Sequence, residues 1–338
     1  MTAEQLTAAA GASTAVLGQA FSGDVERQLR AIRNRAAMGN HGTNSVAWDG
    51  KGGLVSTSLP SRYFAWVNAE GNRAEQNADG TAPGYTLNSW GGTVGAGMQV
   101  NSNLTMGLAL SAMYGDLRSD GPDSLDGDMD TTYLSAFARY ESGKWSHAFI
   151  GTAGTMEADY KRTVSHATDS YHTYGDTDGT AFGLMYEVSR DFTLGSKGTL
   201  SPVFNISYRH AEVDGYSESG ADAALNVGEQ SLDTMTLGLG ARYAAVVGER
   251  AFNRACAFEA RALAKYDFGD TQHNIGVGFV NQATHANIES AEMGAFGVEL
   301  GAGISVPVGK GSIFADGAVE LRSDYTNFNA TVGYKIQF

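Results

Sequence analysis

Residues 326–338 close the chain with the sequence TNFNATVGYKIQF. Counting back from Phe338 to Phe328, every second side chain is apolar or aromatic, and the positions between carry Gln, Lys, Gly, Thr and Asn. A period of two is typical of a β-strand with one apolar and one polar face. Strands of soluble proteins are usually about five or six residues long, so this stretch is longer than usual. Its length matches the roughly 9–11 residues with which a tilted strand crosses a bilayer. It therefore predicts a membrane-spanning β-strand.

The same alternation recurs along the chain after residue 61. Further clear cases are residues 104–114, 234–243, 256–268, 296–306 and 313–322. Their polar faces are mostly Gly, Ser, Thr and Asn with isolated charges, whereas a face open to bulk water would be rich in Lys and Glu. Small polar side chains suit the crowded lumen of a membrane β-barrel, and aromatic residues near the strand ends suit its interfacial girdles.

The connections between candidate strands alternate in length. Long ones lie near residues 71–84, 115–129, 160–178, 214–230 and 269–293, and short ones near 101–103, 141–144, 191–198, 247–254 and 308–311. Long external loops and short periplasmic turns are typical of outer-membrane barrels, whose strand number is even in bacteria. The predicted fold is an all-β membrane protein, an antiparallel barrel of about 12 strands. Its least certain piece is 269–293, in which Asn274–Val280 is either a strand extension or a folded loop.

Bulk properties exclude several other classes. No stretch approaches the roughly 18 uninterrupted apolar residues of a membrane helix, and the mean hydropathy is -0.22. The net charge of -14 disfavours nucleic acid, because phosphate binding needs a basic patch. The one cysteine, Cys256, gives neither a disulfide framework nor a Cys-based zinc site. No cofactor, metal or catalytic residue is predicted.

The first 61 residues differ from the rest in composition and in sequence pattern. Residues 2–39 favour a helix, predicted over about residues 22–38 with Ser22 as N-cap and Gly39 as stop, and residues 40–61 are a Gly-, Ser- and Asn-rich connector. We therefore divide the chain into a linker with its helix (1–61) and a barrel (62–338). No basic and apolar leader precedes the helix, so we expect a segment of a longer precursor.

Five motifs in this order carry a family resemblance. They are the helix FSGDVERQLRAIR (21–33), the opening strand YFAWV (63–67), LSPVFNISY (200–208), GYSE (215–218) and the ending VGYKIQF (332–338). Over roughly residues 20–338 the chain resembles the C-terminal translocator β-domain of autotransporters (type V secretion). The resemblance implies a barrel in the bacterial outer membrane whose pore holds the helix, the remnant of the link to a secreted passenger.

The same resemblance implies partners and a role. The domain would anchor in the membrane as a monomer and form the pore for export of its own N-terminal passenger, with long loops extracellular. Its partners would be outer-membrane lipid and lipopolysaccharide and the barrel-assembly machinery, whose signal would be Tyr334, Ile336 and Phe338. Some relatives cleave themselves at paired asparagines in the helix. This chain has Arg33-Asn34-Arg35 instead, so no self-cleavage is expected.

Helix spacing places three cations on one side. Arg27, Arg30 and Arg33 follow one another at intervals of three residues. We expect them to pair with lumen carboxylates and so hold a pore plug, each pair being hydrated and worth about 0.5–1 kcal/mol. The alternative is a solvated helix face. The candidate carboxylates are Glu259, Glu299, Asp316 and Glu320.

Other functions are kept as alternatives. One is a free-standing outer-membrane channel for small solutes with the helix as an ordinary plug. Another is an outer-membrane hydrolase, suggested by His210 near Asp214 in sequence. The acidic run Asp120–Asp130 has oxygen ligands for Ca²⁺ but lacks the EF-hand glycine and closing glutamate, so a mobile external loop is favoured.

Overall fold

The computed structural model describes residues 11–41, 45–48, 54–57, 62–80, 82–120, 123–166, 169–195, 198–247, 256–270, 272–283 and 285–338. A 3₁₀ turn, Ala12–Ala15, leads into one long helix, α1 (Val16–His41). A short antiparallel hairpin of β1 (Ser45–Trp48) and β2 (Leu54–Thr57) follows, within the segment predicted as a plain connector. Among the described residues, no helix is both long and apolar enough to cross a membrane.

The remaining strands follow in chain order. They are β3 (Tyr63–Gln76), β4 (Tyr85–Gln99), β5 (Leu104–Ser119), β6 (Ser124–Ser142), β7 (Trp145–His166), β8 (Asp169–Arg190), β9 (Phe192–Leu194), β10 (Gly198–Val213), β11 (Tyr216–Ser217), β12 (Leu225–Val227), β13 (Gln230–Val247), β14 (Cys256–Gly269), β15 (Asn274–Phe279), β16 (His285–Glu289), β17 (Phe296–Val308), β18 (Gly311–Arg322) and β19 (Tyr325–Gln337).

Twelve of these strands close into a barrel. Each pairs antiparallel with its neighbours in chain order, and β19 pairs with β3, Tyr334 opposite Val67, so the wall has no free edge. The three-residue strand β9 pairs with the first three residues of β10. This confirms the predicted 12-stranded antiparallel barrel. We call the end with the connections 100–103, 143–144 and 309–310 the turn end, and the end with 214–229 and 270–295 the loop end.

The two faces of the wall follow the predicted alternation. Outward side chains in the middle of the barrel are apolar and exposed, for example Leu108 and Leu134, whereas the inward Ser111 and Ser135 are buried. Exposed aromatic side chains mark both edges of the apolar belt. They are Trp90, Tyr114, Tyr266 and Phe296 towards the loop end, and Tyr63, Tyr140, Trp145 and Phe338 towards the turn end.

Above this belt the alternation continues with its faces exchanged. In β6, Leu125 and Met129 point inward and are buried, while Asp126, Asp128 and Asp130 point outward. The outward face is acidic here because it meets water instead of lipid. The predictions of long loops at 115–129 and 160–178, and in part at 71–84, were therefore wrong: β3 and β5–β8 extend through most of these segments.

Bulky aromatic side chains on the inner wall lie over glycines of the neighbouring strand. Trp66 covers Gly95, Phe64 covers Gly97, and a Cβ built on Gly95 would collide with the indole ring of Trp66. Only a residue without a side chain leaves room for this contact. Part of the predicted small-residue face thus accommodates aromatic neighbours.

Helix α1 begins six residues before the predicted start. Val16, Leu17, Ala20 and Phe21 are buried against the barrel's inner wall near the loop end, and this packing extends the helix past the expected N-cap. Ser22 is instead an internal helix residue, whose hydroxyl accepts a hydrogen bond from Arg209 (3.1 Å). At the other end the backbone remains helical through Gly39 to His41.

A second sheet covers the barrel at the loop end. Strands β11, β12, β15 and β16 form it in that order, all antiparallel. Its inner face packs on Ala15 of the 3₁₀ turn through Leu225, Val227, Ile275 and Val277. The segment left ambiguous in sequence, 269–293, therefore folds as part of an external cap and does not lengthen a wall strand.

Candidate functional site: the helix in the barrel lumen

The lumen is occupied by α1. Of the side chains described over residues 11–36, only Ala12, Gly23 and Ala31 are even partly exposed. The helix has polar residues on all sides, yet Arg27, Gln28 and Arg30 are each no more than 3% exposed. A polar helix in water would leave such side chains solvated, so the barrel wall must supply their partners.

The three predicted arginines all reach carboxylates. Arg30 Nη1 lies 2.5 Å from Glu320 Oε2, and Arg33 Nη2 lies 2.5 Å from Glu299 Oε1. Arg27 Nη1 lies 3.2 Å from Glu70 on β3, and its Nε donates to Asp24 one turn earlier (2.7 Å). Two of the four candidate carboxylates, Glu299 and Glu320, thus meet the helix directly.

Among the described residues, the other two candidates pair with groups other than the three predicted arginines. Glu259 lies beside the wall residues Arg242 (3.5 Å) and Arg261 (3.8 Å). Asp316 binds Arg261 (2.8 Å) and accepts a hydrogen bond from Asn34 of the helix (3.2 Å). Strand alternation identified these residues as inward-facing but not how far each lies from the helix.

Helix carboxylates form a second set of contacts that the sequence reading missed. Glu26 is bonded to Lys265 and lies 3.3 Å from Arg209 and 3.6 Å from Arg322. Asp24 accepts hydrogen bonds from Thr131 and Tyr133, both at 2.9 Å. One signal was available: inward cations on β10, β14 and β18 need anionic partners, and the helix carries only these two acids.

Neutral groups complete the polar contacts. The Gln28 amide donates to Ser111 (2.9 Å) and Ser135 (3.0 Å) on adjacent strands. Hydroxyl side chains on the inner wall thus bind helix amide and carboxylate groups at fixed positions. These contacts specify the rotation and depth of the helix as well as its presence.

The ion pairs are buried rather than hydrated. The paired side chains of Arg30, Glu320, Arg33 and Glu299 are between 1% and 3% exposed. The expected 0.5–1 kcal/mol per pair, which holds for exposed pairs, therefore does not apply. Removing one partner of a buried pair costs about 3–5 kcal/mol, because the other charge stays buried without compensation.

Apolar side chains line another face of the helix, at the same levels as the charged ones. Towards the loop end, Phe21 and Val25 pack on wall residues that include Met129 and Tyr133. Towards the turn end, Leu29 and Ile32 pack on a group that includes Trp66. All four of these helix side chains are buried.

The loop end carries two further closures outside the membrane. The side-chain oxygen Oε1 of Gln230 accepts hydrogen bonds from the Gly18 backbone amide (3.1 Å) and from His273 Nε2 (3.1 Å). Burial lowers the pKa of His273 to about 4, so the ring is neutral at pH 7. Separately, Arg162 of β7 forms a fully buried pair with Glu218 (2.5 Å), which holds the 214–229 connection against the wall.

The features behind the alternative functions lie elsewhere. His210 points outward, with Nδ1 3.0 Å from Asp233 and its ring on Phe182; its carboxylate neighbours are Asp233 and Glu212, so the suggested pairing with Asp214 at the lumen rim was wrong. In the acidic run, β6 begins at Ser124, so the prediction of a mobile loop was wrong for 124–130. No group of ligating side chains among the described residues is arranged to hold a metal ion.

The predicted assembly residues lie at the seam between first and last strands. Ile336 and Phe338 are 36% and 66% exposed on the outward face at the turn end, and the Tyr334 hydroxyl donates to the Val308 carbonyl (3.4 Å). The backbone amide of Phe338 donates a hydrogen bond to the backbone carbonyl of Tyr63 (3.1 Å).

Comparison with known proteins adds sequence and fold relatives. Residues 65–318 match the sequence profile of the Autotransporter beta-domain family. Esterase EstA of Pseudomonas aeruginosa and its Pseudomonas putida counterpart are each 28% identical over 183 residues, 53% of this chain and 28% of theirs. The chain therefore matches little more than a quarter of the length of these relatives.

Two solved structures share the fold. The translocator domain of autotransporter NalP from Neisseria meningitidis superposes with a TM-score of 0.73 at 15% identity, covering 97% of this chain and 99% of that one. The beta domain of the Bordetella autotransporter BrkA gives 0.58 at 16% identity, covering 82% and 100%.

Proposed function

The chain belongs to the autotransporter β-domain family, and from this premise we propose that α1 is the retained end of an exported passenger and plugs the pore through which that passenger passed. The chain is an outer-membrane translocator domain, and such a domain is not itself catalytic. The proposal adds the route, the plug and the residues that hold it.

The direction of the helix is the observation that carries this proposal. Its first turns lie at the loop end, where the preceding Ala15 packs on the four-stranded sheet of the cap. The helix then runs through the lumen towards the turn end, where β3 begins. In outer-membrane barrels the long loops are extracellular and the short turns periplasmic. A segment attached before residue 11 would therefore stand outside the cell, as an exported passenger must.

The buried contacts of the helix support its role as a plug. Arg27, Arg30 and Arg33 each bind a carboxylate, and Glu26 binds wall cations, so withdrawal of α1 would leave charges unpaired on both surfaces. Residues 1–61 then act as linker and plug, and 62–338 as the barrel. A free-standing solute channel is less well supported, because α1 fills the described lumen.

We also propose the partners that this role requires. They are the passenger itself, the barrel-assembly machinery acting on the strand that contains Tyr334, Ile336 and Phe338, and the surrounding lipid and lipopolysaccharide. The barrel works as a monomer. No self-cleavage is proposed, because the helix has Arg33-Asn34-Arg35.

Cell-surface exposure tests the route. The chain is expressed in Gram-negative cells behind a signal peptide and an epitope tag placed before residue 1. We expect antibody to bind the tag on intact cells. An otherwise identical chain with the tag in the 143–144 turn is the control and should bind only after permeabilisation. An inaccessible N-terminal tag on a folded barrel would contradict the proposal.

Planar-bilayer conductance tests the plug. The full chain should conduct poorly, and a variant lacking residues 2–39 should open a large, steady pore. Equal and large conductance in both proteins would place the helix outside the conduction path and favour the solute-channel alternative.

A further inference from the structure

One cation on the outer wall is held between two aromatic rings. The Arg190 guanidinium carbon lies 5.2 Å from the ring centroid of Trp145 and 5.2 Å from that of Phe192, at the turn end of the barrel. All three side chains are exposed. Within the part of the chain that the structure describes, the Arg190 guanidinium has neither a carboxylate in ion-pair range nor a hydrogen-bond acceptor. The rings fix its position, and its N–H donors remain available to an anion.

Two polar side chains lie next along the same strands. Arg190 is opposite Trp145, and the register continues through Val188 opposite His147 to Tyr186 opposite Phe149. His147 Nδ1 and the Tyr186 hydroxyl are 2.8 Å apart on the lipid-facing side. Each two-residue step is about 7 Å, so this pair begins within one step of the guanidinium. Polar groups on a lipid-facing wall need polar partners in the membrane.

Beyond this pair the wall becomes concave and apolar. Ala136, Ala138 and Gly151 are small outward residues, and the larger Met106, Phe149 and Leu184 rise around them. The resulting groove has a volume of about 500 Å³. It runs from the level of Phe149 towards the middle of the apolar belt.

We propose that these three features form a binding site for one glycerophospholipid of the periplasmic leaflet. Its phosphate binds Arg190, with the exposed Lys144 of the adjacent turn adding positive charge. Its glycerol and ester oxygens meet His147 and Tyr186, and one acyl chain fills the groove. The order of cation, polar pair and apolar groove along the wall is the order of the corresponding groups in the lipid.

Charge selects this occupant over others. A bilayer lipid that presents an anionic phosphate at the turn end complements Arg190, and its acyl chain reaches the groove without leaving the membrane. A second copy of the barrel would place an apolar wall against Arg190 and leave the guanidinium without an anion. The proposal does not depend on passenger export.

Native mass spectrometry of the refolded full chain tests the site. Detergent-solubilised protein is titrated with dioleoyl phosphatidylglycerol, and the lipid retained per barrel is counted. We expect one tightly retained lipid in the native chain. Arg190→Gln should weaken its binding about tenfold, as expected for loss of a charge-assisted contact. The matched control is Arg62→Gln, because Arg62 also lies at the turn end but bonds backbone carbonyls of Gln99 and Val100.

A second variant separates the groove from the charge. In Gly151→Val the new Cβ would meet only Leu184, at 3.4 Å, so the wall can fold while the groove is filled. We expect weaker binding of the dioleoyl lipid but unchanged binding of dihexanoyl phosphatidylglycerol, which lacks a long chain. Heat-modifiable migration on gels verifies folding.

Three outcomes would overturn the proposal. They are equal retention by Arg190→Gln and the native chain, tighter binding of lipid A than of phosphatidylglycerol at this site, and a dimer that Gly151→Val dissociates. The last result would assign the groove to a second copy of the chain.

Discussion

Replacing Glu26 with Gln should loosen the plug while leaving the barrel intact. The substitution keeps the shape of the side chain and removes the charge that Lys265, Arg209 and Arg322 share. These cations remain buried in the wall. The substitution therefore weakens the docking of the helix in the lumen. It does not weaken the barrel, because the barrel strands keep every backbone hydrogen bond.

The size of the effect follows from the partners that remain. Lys265 keeps Glu320 (3.0 Å), Arg209 keeps Asp267 (3.0 Å), and Arg322 keeps both of these acids. Since no cation is left without a carboxylate, the cost should lie at the lower end of the range for buried pairs, about 3 kcal/mol. That corresponds to about a 150-fold larger open population.

Single-channel recording measures this population directly. We expect frequent, long openings in Glu26→Gln and rare ones in the native chain. The matched control is Glu75→Gln, since Glu75 pairs with Arg73 on the exposed outer surface and should leave gating unchanged. If Glu26→Gln folds, as judged by its migration on unheated gels, and opens no more often than the control, the buried pairs do not hold the plug.

Three further predictions concern closure and the wall. Because burial lowers the pKa of His273 to about 4, against an unfolded value near 6.5, the stability of the cap is full above pH 6.5 and is lost as pH falls towards 4, by up to about 3 kcal/mol. Protection factors against hydrogen exchange in 273–290, which correct for the slower intrinsic exchange at low pH, should therefore fall at pH 4.5, and an equal fall in His273→Gln would disprove the link. Arg162→Met should expose the 214–229 connection to added protease, because losing one partner of the buried pair with Glu218 costs about 3–5 kcal/mol of stability. Arg118→Met, which removes an exposed pair, should leave the connection protected, and equal cleavage of the two variants would refute the role of the buried pair. Gly95→Ala should lower the unfolding temperature, because its Cβ meets Trp66, while Gly71→Ala has open space; equal temperatures would contradict the packing argument.

The wall was predictable because lipid imposes one rule on every strand. The six segments in which alternation was clear all lie in barrel strands, since outward residues such as Leu108 and Leu239 must be apolar within the membrane. Above the membrane this rule exchanges the faces, and Asp126 and Asp128 mark the outward side. A search for apolar outward positions therefore ends too early, as it did for β5–β8.

The contacts of the helix were predictable in kind but not in detail. Helix spacing placed Arg27, Arg30 and Arg33 together, and strand alternation placed Glu299 and Glu320 inward. Which charges meet depends on the depth and rotation of α1 in the lumen, and neither is a property of the helix or of one strand alone. For the same reason Glu26, the acid with the most wall cations around it, escaped notice.

The unequal lengths of the wall strands give the barrel a slanted rim. Strands β7 and β8 contain 22 residues each, and β18 contains 12, a difference of about 30 Å in strand length. The wall on the side of β7 and β8 therefore extends further beyond the membrane than the wall on the side of β18. On the higher side, the backbone of Tyr174 is hydrogen-bonded to Ser219 of the 214–229 connection. If α1 is the retained end of a passenger, as proposed, a protein attached before Gly11 meets a high rim on one side and a low rim on the other. Under that proposal, the unequal rim would favour one orientation of the passenger with respect to the membrane.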